Sequence, residues 1–129
     1  MKIVAVDYGS ARTGIAVSDP TGTLARPVGV IERAGTEGGL ERLVELIANE
    51  GAERVVVGMP LTLRGERGEQ ARETELFADA LRSAAPVPVE LFDERFTTDL
   101  AEGGGAAPED ARAAAHLLSS YLTWSSRRI

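Results

Sequence analysis

The chain has 129 residues, of which 43% are hydrophobic and 26% charged, so we expect one domain with a sizeable core over residues 1–129. Its net charge of −6 argues against a protein that binds nucleic acid through general basic charge alone, although a local cationic patch remains compatible with it. The absence of cysteine excludes disulfides and thiolate chemistry, and without a membrane-length apolar run or a signal-peptide cleavage site we expect a cytoplasmic protein with no membrane association.

The first quarter of the chain shows the alternating pattern of β-strands joined by short connections. Three such strands at this spacing favour an antiparallel meander, in which the first turn covers residues 8–13. The three predicted strands are Lys2–Asp7, Gly14–Asp19 and Leu24–Ile31.

The rest of the chain alternates helices with strands. Apolar residues recur at helical spacing in three segments, and the run "RVVVGM" is typical of a central parallel strand. The order βββαβαβα predicts an α/β fold: a mixed sheet of five strands, the first three antiparallel, with helices on both faces, as in the ribonuclease H-like fold. The predicted elements are helix Thr36–Glu50, strand Arg54–Met59, helix Gly68–Ala84, strand Val87–Asp93 and helix Pro108–Trp124.

Three acidic residues from distant parts of the chain are expected at one edge of this sheet. Asp7 ends the first strand, and ligands gather at such strand ends in open α/β sheets. Glu94 follows the last strand, and Asp110 lies in the first turn of the final helix, where an anion is favoured. Asp93 and Glu94 are adjacent, so in a strand their side chains would point to opposite faces of the sheet. Spacing alone does not decide which of the two points into the site.

The chemistry of three neighbouring carboxylates indicates a metal site. Carboxylates held close together repel one another unless a cation lies between them, and hard oxygen ligands suit Mg²⁺ or Mn²⁺. Such ions activate water and stabilise the leaving oxygen of a phosphodiester. We therefore predict Asp7, Glu94 and Asp110 as catalytic residues and metal ligands. The alternatives are that Asp7 is a turn residue and that Asp110 is only a helix-start acid.

Cationic and hydroxyl side chains near these acids are candidates for binding a phosphate backbone. Arg12 lies in the turn beside Asp7, and Arg95 lies beside Glu94. Two further arginines follow the fourth strand in a glycine-containing loop, where the alternative is a solvated loop whose arginines offset neighbouring glutamates. The candidate nucleic-acid contacts are Arg12, Arg64, Arg67, Arg95, Thr97 and Thr98.

Four segments, in order, resemble the signature blocks of the YqgF/RuvX family: "VAVDYGSARTGIAVSD", "VVVGMPLTLRGERGEQ", "FDERFTT" and "DARAAAHLLSSYL". The family comprises Holliday junction resolvase-like proteins described as nucleases of pre-16S rRNA processing. The resemblance covers nearly the whole chain and implies a single ribonuclease H-like nuclease domain over residues 1–129. It also implies that Asp7, Glu94 and Asp110 form the metal-dependent acidic site, with Arg12 and Arg95 as its arginines.

The function implied by the resemblance is hydrolysis of phosphodiester bonds by a Mg²⁺- or Mn²⁺-dependent nuclease. The expected substrate is structured RNA, in the 5′-end maturation of pre-16S rRNA, with the assembling small ribosomal subunit as a further partner. One alternative is a Holliday junction resolvase that cuts four-way DNA as a dimer. The other is a catalytically silent RNA-binding protein of ribosome assembly. We expect a monomer or a weak homodimer.

Overall fold

The computed structural model describes residues 1–61, 64–65, 68–94 and 108–126. Its helices and strands occur in the predicted order, and no bound differs from the predicted one by more than two residues. They are β1 (Ile3–Asp7), β2 (Arg12–Ser18), β3 (Ala25–Glu32), α1 (Glu37–Glu50), β4 (Arg54–Met59), α2 (Glu69–Ala84), β5 (Val89–Asp93) and α3 (Glu109–Ser126). No helix in these described ranges is both long enough and apolar enough to cross a bilayer.

The strands form one mixed five-stranded sheet in the order β3-β2-β1-β4-β5. β1, β2 and β3 pair antiparallel, whereas β1, β4 and β5 run parallel to one another. The predicted fold class is therefore confirmed. Because β1, β4 and β5 are parallel, their carboxyl ends lie at one edge, which we call the rim. The start of β2 and the end of β3 lie at the same rim.

Side-chain alternation divides the core into two clusters, one on each face of the sheet. Val4 and Val6 of β1 belong to the cluster covered by α1 and α2, together with Phe77 and Leu81. Ile3 and Ala5 belong to the cluster covered by α3. Side chains two residues apart in a strand point to the same face of the sheet. Asp7 comes two residues after Ala5, so its side chain lies on the α3 face.

Local signals set the ends of the elements. The hydroxyl of Thr36 accepts a hydrogen bond from the Gly39 amide at 3.2 Å and caps α1, and Gly51 ends that helix with a φ of 67°. β2 begins at Arg12 rather than at Gly14, because Arg12 already pairs with Glu32 of β3. The predicted turn after β1 is therefore shorter than residues 8–13.

A polar and aromatic cluster fixes the far half of α3 on the sheet. The hydroxyl of Tyr121, which is only 1% exposed, donates to Glu90 Oε1 at 2.8 Å and accepts from Arg54 Nη1 at 2.8 Å. Phe92 packs edge-on against Tyr121 and Trp124. With this half anchored across β4 and β5, the first turn of α3 lies over β2 at the rim.

Candidate metal centre

Asp7 occupies the centre of the candidate site. It is the last residue of β1 and pairs with Gly14 of β2, while the preceding residue, Val6, pairs with Val57 of β4. On the α3 face, Asp7 is thus flanked by Gly14 on one neighbouring strand and by Gly58 on the other. Neither glycine has a side chain, so both flanks of the Asp7 carboxylate offer space to other residues.

The first turn of α3 fills the space above Gly14. A Cβ atom built on Gly14 would overlap the carbonyl oxygen of Asp110 and would lie 3.1 Å from the amide nitrogen of Ala111. Ala111 and Ala114 are fully buried behind this contact, whereas Ala113 is exposed. The missing side chain of Gly14 therefore brings the backbone of Asp110 beside Asp7.

The carboxylate of Glu94 fills the space above Gly58. A Cβ atom built on Gly58 would lie 3.0 Å from Glu94 Cγ and 3.1 Å from its Oε2. Glu94 therefore reaches back over β4 towards Asp7. This placement answers the parity question that the sequence left open: Glu94, not Asp93, lies over the α3 face beside Asp7. Gly58 lies within β4 and provides this room.

The electrostatics connect the three acids through Asp7. Burial and then the charge of Asp110 raise the pKa of Asp7 above its ordinary value. Burial, then the charges of Asp7 and Asp93, raise the pKa of Glu94 to about 7. Asp7 is thus coupled to both other acids. Mutual repulsion of this kind disfavours the ionised forms and would be relieved by a cation between them.

Arg12 provides a positive charge next to these acids. Its Nε lies 3.3 Å from Asp110 Oδ2, and its side chain is 66% exposed. The turn before it is compact, because the buried hydroxyl of Thr13 donates to the Gly9 carbonyl at 3.2 Å. Arg12 therefore stands at the rim with one side paired to an acid and the other open to solvent.

The donor set suits a hard divalent cation, since all the converging groups are carboxylate oxygens. As the side chains stand, however, the described residues contain no group of three or more His, Cys, Asp and Glu arranged to hold an ion. The ion pair with Arg12 engages the Asp110 carboxylate instead. The structure thus brings Asp7 together with Glu94 and with Asp110, and metal binding by all three remains a prediction.

The other predicted contacts have different outcomes. Arg64 is exposed and follows β4 beyond the rim. Asp19, at the opposite end of the sheet, accepts hydrogen bonds from the amides of Thr23 and Leu24 at 2.7 and 3.0 Å and so stabilises the turn after β2. Four predicted nucleic-acid contacts lie outside the described residues and stay predictions: Arg67, Arg95, Thr97 and Thr98.

The raised pKa of Glu94 predicts that the stability of the fold decreases as the pH rises towards neutrality. Its folded-state pKa of about 7 lies above the ordinary 4.5, so the folded protein holds the proton more tightly than the unfolded chain does. Its contribution to stability is therefore fully present below pH 4.5 and is lost as the pH rises through about 7. Glu94→Gln should flatten this decline, as measured by urea unfolding without divalent metal. An unchanged slope in this variant would contradict the burial of Glu94 beside Asp7.

Sequence reasoning missed the two flanking glycines as parts of the site. The available signal was their position: a turn over residues 8–13 places Gly14 opposite Asp7, and Gly58 lies one residue before the end of the neighbouring strand. Glycine inside a strand marks close approach of another group. Applied to both positions, this rule would have indicated where Asp110 and Glu94 approach the sheet.

Comparison with known proteins places this arrangement in a family context. Residues 1–124 match the family model described as "RuvX: Holliday junction resolvase". A Chloroflexus aurantiacus protein named "Putative pre-16S rRNA nuclease" is 47% identical over 100 residues, which cover 78% of this chain and 65% of that protein. A Desulforudis audaxviator protein of the same name is 39% identical over 95% of this chain and 94% of its own length. The chain thus spans slightly less than two thirds of the first of these relatives.

Solved structures share the fold. Thermus thermophilus RuvC in complex with a Holliday junction substrate matches with a TM-score of 0.68 and 17% identity, covering 98% of this chain and 95% of that one. A second structure of the same RuvC gives a TM-score of 0.69 at 15% identity, covering 98% and 96%. At these identities the likeness establishes the fold, and it confirms the ribonuclease H-like architecture predicted from the order of the elements.

Proposed function

We propose, because this chain belongs to the RuvX family, that it is a divalent-metal-dependent nuclease that hydrolyses phosphodiester bonds in structured RNA. The observation that carries the proposal is the approach of Glu94 and Asp110 to Asp7 from opposite sides, through the gaps left by Gly58 and Gly14. The names of the relatives support a role in 5′-end maturation of pre-16S rRNA. We further propose one nuclease domain that acts in the cytoplasm, beside the assembling small ribosomal subunit.

The acids and Arg12 have distinct roles in this proposal. Asp7, Glu94 and Asp110 would hold Mg²⁺ or Mn²⁺, which when bound supplies Lewis-acid activation of water and stabilises the leaving oxygen. Arg12, exposed beside Asp110, neutralises the non-bridging oxygens of the substrate phosphate. The half-buried position of Asp7 at the end of a core strand keeps its carboxylate in a fixed orientation, as accurate placement of a reacting phosphate requires.

Cleavage assays on two substrates test the choice between RNA processing and junction resolution. We expect the chain, with Mg²⁺ or Mn²⁺, to cut RNA carrying the 5′ end of precursor 16S rRNA faster than a four-way DNA junction. Resolution needs two symmetric cuts, so the alternative predicts faster junction cleavage together with a dimer in solution, measured by light scattering. Binding of the RNA without cleavage of either substrate would favour the assembly protein and contradict the nuclease.

A further inference from the structure

Arg33 adopts a backbone conformation that arginine rarely takes. It follows β3 directly at the rim and has a φ of 50°, the only positive φ of a non-glycine residue in the described part of the chain. Side chains other than glycine, and less often asparagine or aspartate, avoid this left-handed region because Cβ crowds the backbone. Such outliers persist only where the surroundings determine them, and they cluster at functional sites.

The surroundings of Arg33 do determine its conformation. Its amide donates to the carbonyl of Ala11 at 3.0 Å, and its carbonyl accepts from the amide and the hydroxyl of Thr36 at 3.0 and 2.7 Å. Gly39 packs so closely on that carbonyl that a Cβ would overlap it. Glycine at position 33 would satisfy all of these backbone contacts without strain. The chain instead places an arginine there, so the position carries a side chain at an energetic cost.

The position of Arg33 connects it to the candidate metal centre. Ala11 belongs to the turn that leads from Asp7 to Arg12, and Arg12 pairs with Glu32, the residue before Arg33. A cleft of about 440 Å³, whose lining includes Arg12, Glu32 and Asp110, opens between the end of β3 and the start of α3. Arg33 does not line this cleft itself, but it directly follows Glu32, which does, and so lies at the outer end of the rim. Two strand spacings separate β3 from β1, which is about 10 Å.

The guanidinium of Arg33 is available for a ligand. Arg33 is exposed, and its side chain forms no ion pair or hydrogen bond with another described residue. Two nearby arginines, by contrast, have partners. Arg12 forms an ion pair with Asp110, and Arg42 donates a hydrogen bond to the Glu32 carbonyl at 2.9 Å. A cation whose backbone is held in place, and whose side chain has no partner among the described residues, suits a second phosphate of a strand that crosses the proposed cleavage site.

We propose that Arg33 is a positioning residue that binds a backbone phosphate of the nucleic acid, outside the phosphate that is cleaved. The inference rests on the proposed function, since it assumes that a nucleic acid strand crosses the rim. Phosphate contacts of this type fix the register of the strand and carry no base specificity. Arg33 thereby places the scissile phosphate at Asp7, and its contribution is equal for different base sequences.

The test compares variants in binding a fluorescein-labelled RNA hairpin with a single-stranded extension, in Ca²⁺. Arg33→Gly removes the side chain and relieves the strained φ, so its unfolding midpoint should equal or exceed that of the parent. Its affinity for the hairpin should fall about fivefold, by a similar factor for two extension sequences, and the slope of log affinity against log salt should shrink by about one. Arg33→Lys should restore most of the affinity.

The matched control is Arg26→Ala, which removes the same charge from an exposed position of β3 far from the rim, opposite Val17. We expect parental affinity in this variant. Arg33→Gly that binds like the parent, or Arg26→Ala that loses as much affinity as Arg33→Gly, would overturn the phosphate contact while leaving the proposed nuclease intact. A parent chain that binds neither this hairpin nor a four-way DNA junction would overturn both.

Discussion

Asp7→Asn is expected to abolish cleavage, lowering kcat by about three orders of magnitude or more, without lowering the stability of the fold. The substitution keeps the size of the side chain but removes the carboxylate that lies between Glu94 and Asp110. Because burial and Asp110 raise the pKa of Asp7, its charge is unfavourable in the folded chain, and loss of that charge should hold or raise the unfolding midpoint. Cleavage rate and thermal unfolding are measured on the same preparation, the unfolding without added metal.

Asp19→Asn is the matched control, because it is the same substitution at the other end of the sheet. The hydroxyl of Thr21 and the amides of Leu24 and Thr23 donate to Asp19, and these bonds, that of Thr21 most, lower its pKa to about 2. Its charge therefore supports folding above the ordinary pKa of 3.8, and this support is lost as the pH falls towards about 2. We expect Asp19→Asn to lower the unfolding midpoint and to cleave at the parental rate.

The two substitutions are thus expected to have opposite effects. Asp7→Asn should lose activity and keep its stability, whereas Asp19→Asn should lose stability and keep its activity. Parental cleavage by Asp7→Asn would exclude Asp7 from the chemistry. A drop in unfolding midpoint at Asp7 as large as that at Asp19 would instead show that the carboxylate supports the fold, as a simple turn residue would.

Gly14→Ala should damage both the fold and the reaction. The added methyl group would overlap the backbone of Asp110 in the first turn of α3, and backbone cannot move aside as the end of a flexible side chain can. Overpacking of this kind costs about 1–3 kcal/mol. The displaced helix start would also carry Asp110 away from Asp7. We expect a lower urea midpoint, and a cleavage rate reduced by at least about tenfold at a temperature where the variant remains folded.

Gly29→Ala is the control for Gly14→Ala, since Gly29 lies on the adjacent strand β3 and a Cβ there meets no atom within 4 Å. The intrinsic gain of replacing a strand glycine by alanine is present in both variants. We expect Gly29→Ala to unfold at a urea midpoint equal to or slightly above that of the parent, and to cleave at the parental rate. Equal urea midpoints for the two variants would contradict the close contact of α3 with the sheet.

Much of the fold could be predicted from the sequence because each element carries its own local signal. The helical spacing of apolar residues predicted α1 to within one residue: the helix was predicted from Thr36 and begins at Glu37. The β-branched run of β4 was predicted with its bounds as observed. Strand starts were less accurate, because pairing between strands decides them: Arg12 joins β2 only through its partner Glu32.

The convergence of the three acids at the rim was predictable, but the packing that brings them together was not. The end of a parallel strand singled out Asp7, while the choice between Glu94 and Asp93 depended on how the chain leaves β5. Gly14 and Gly58 contribute to the site because they have no side chain. Only the three-dimensional register shows which backbone or side chain fills the space above each glycine. Arg33 could not be recognised from sequence, since its positive φ arises from hydrogen bonds to Ala11 and Thr36.

Anomalous diffraction from crystals soaked in Mn²⁺ tests most directly whether these acids form a metal centre. We predict an anomalous peak at the rim, bounded by the carboxylates of Asp7, Glu94 and Asp110, and its loss in Asp7→Asn crystals soaked in the same way. Parent crystals with no peak at the rim, or with Mn²⁺ bound only to other surface acids, would contradict the metal-dependent mechanism.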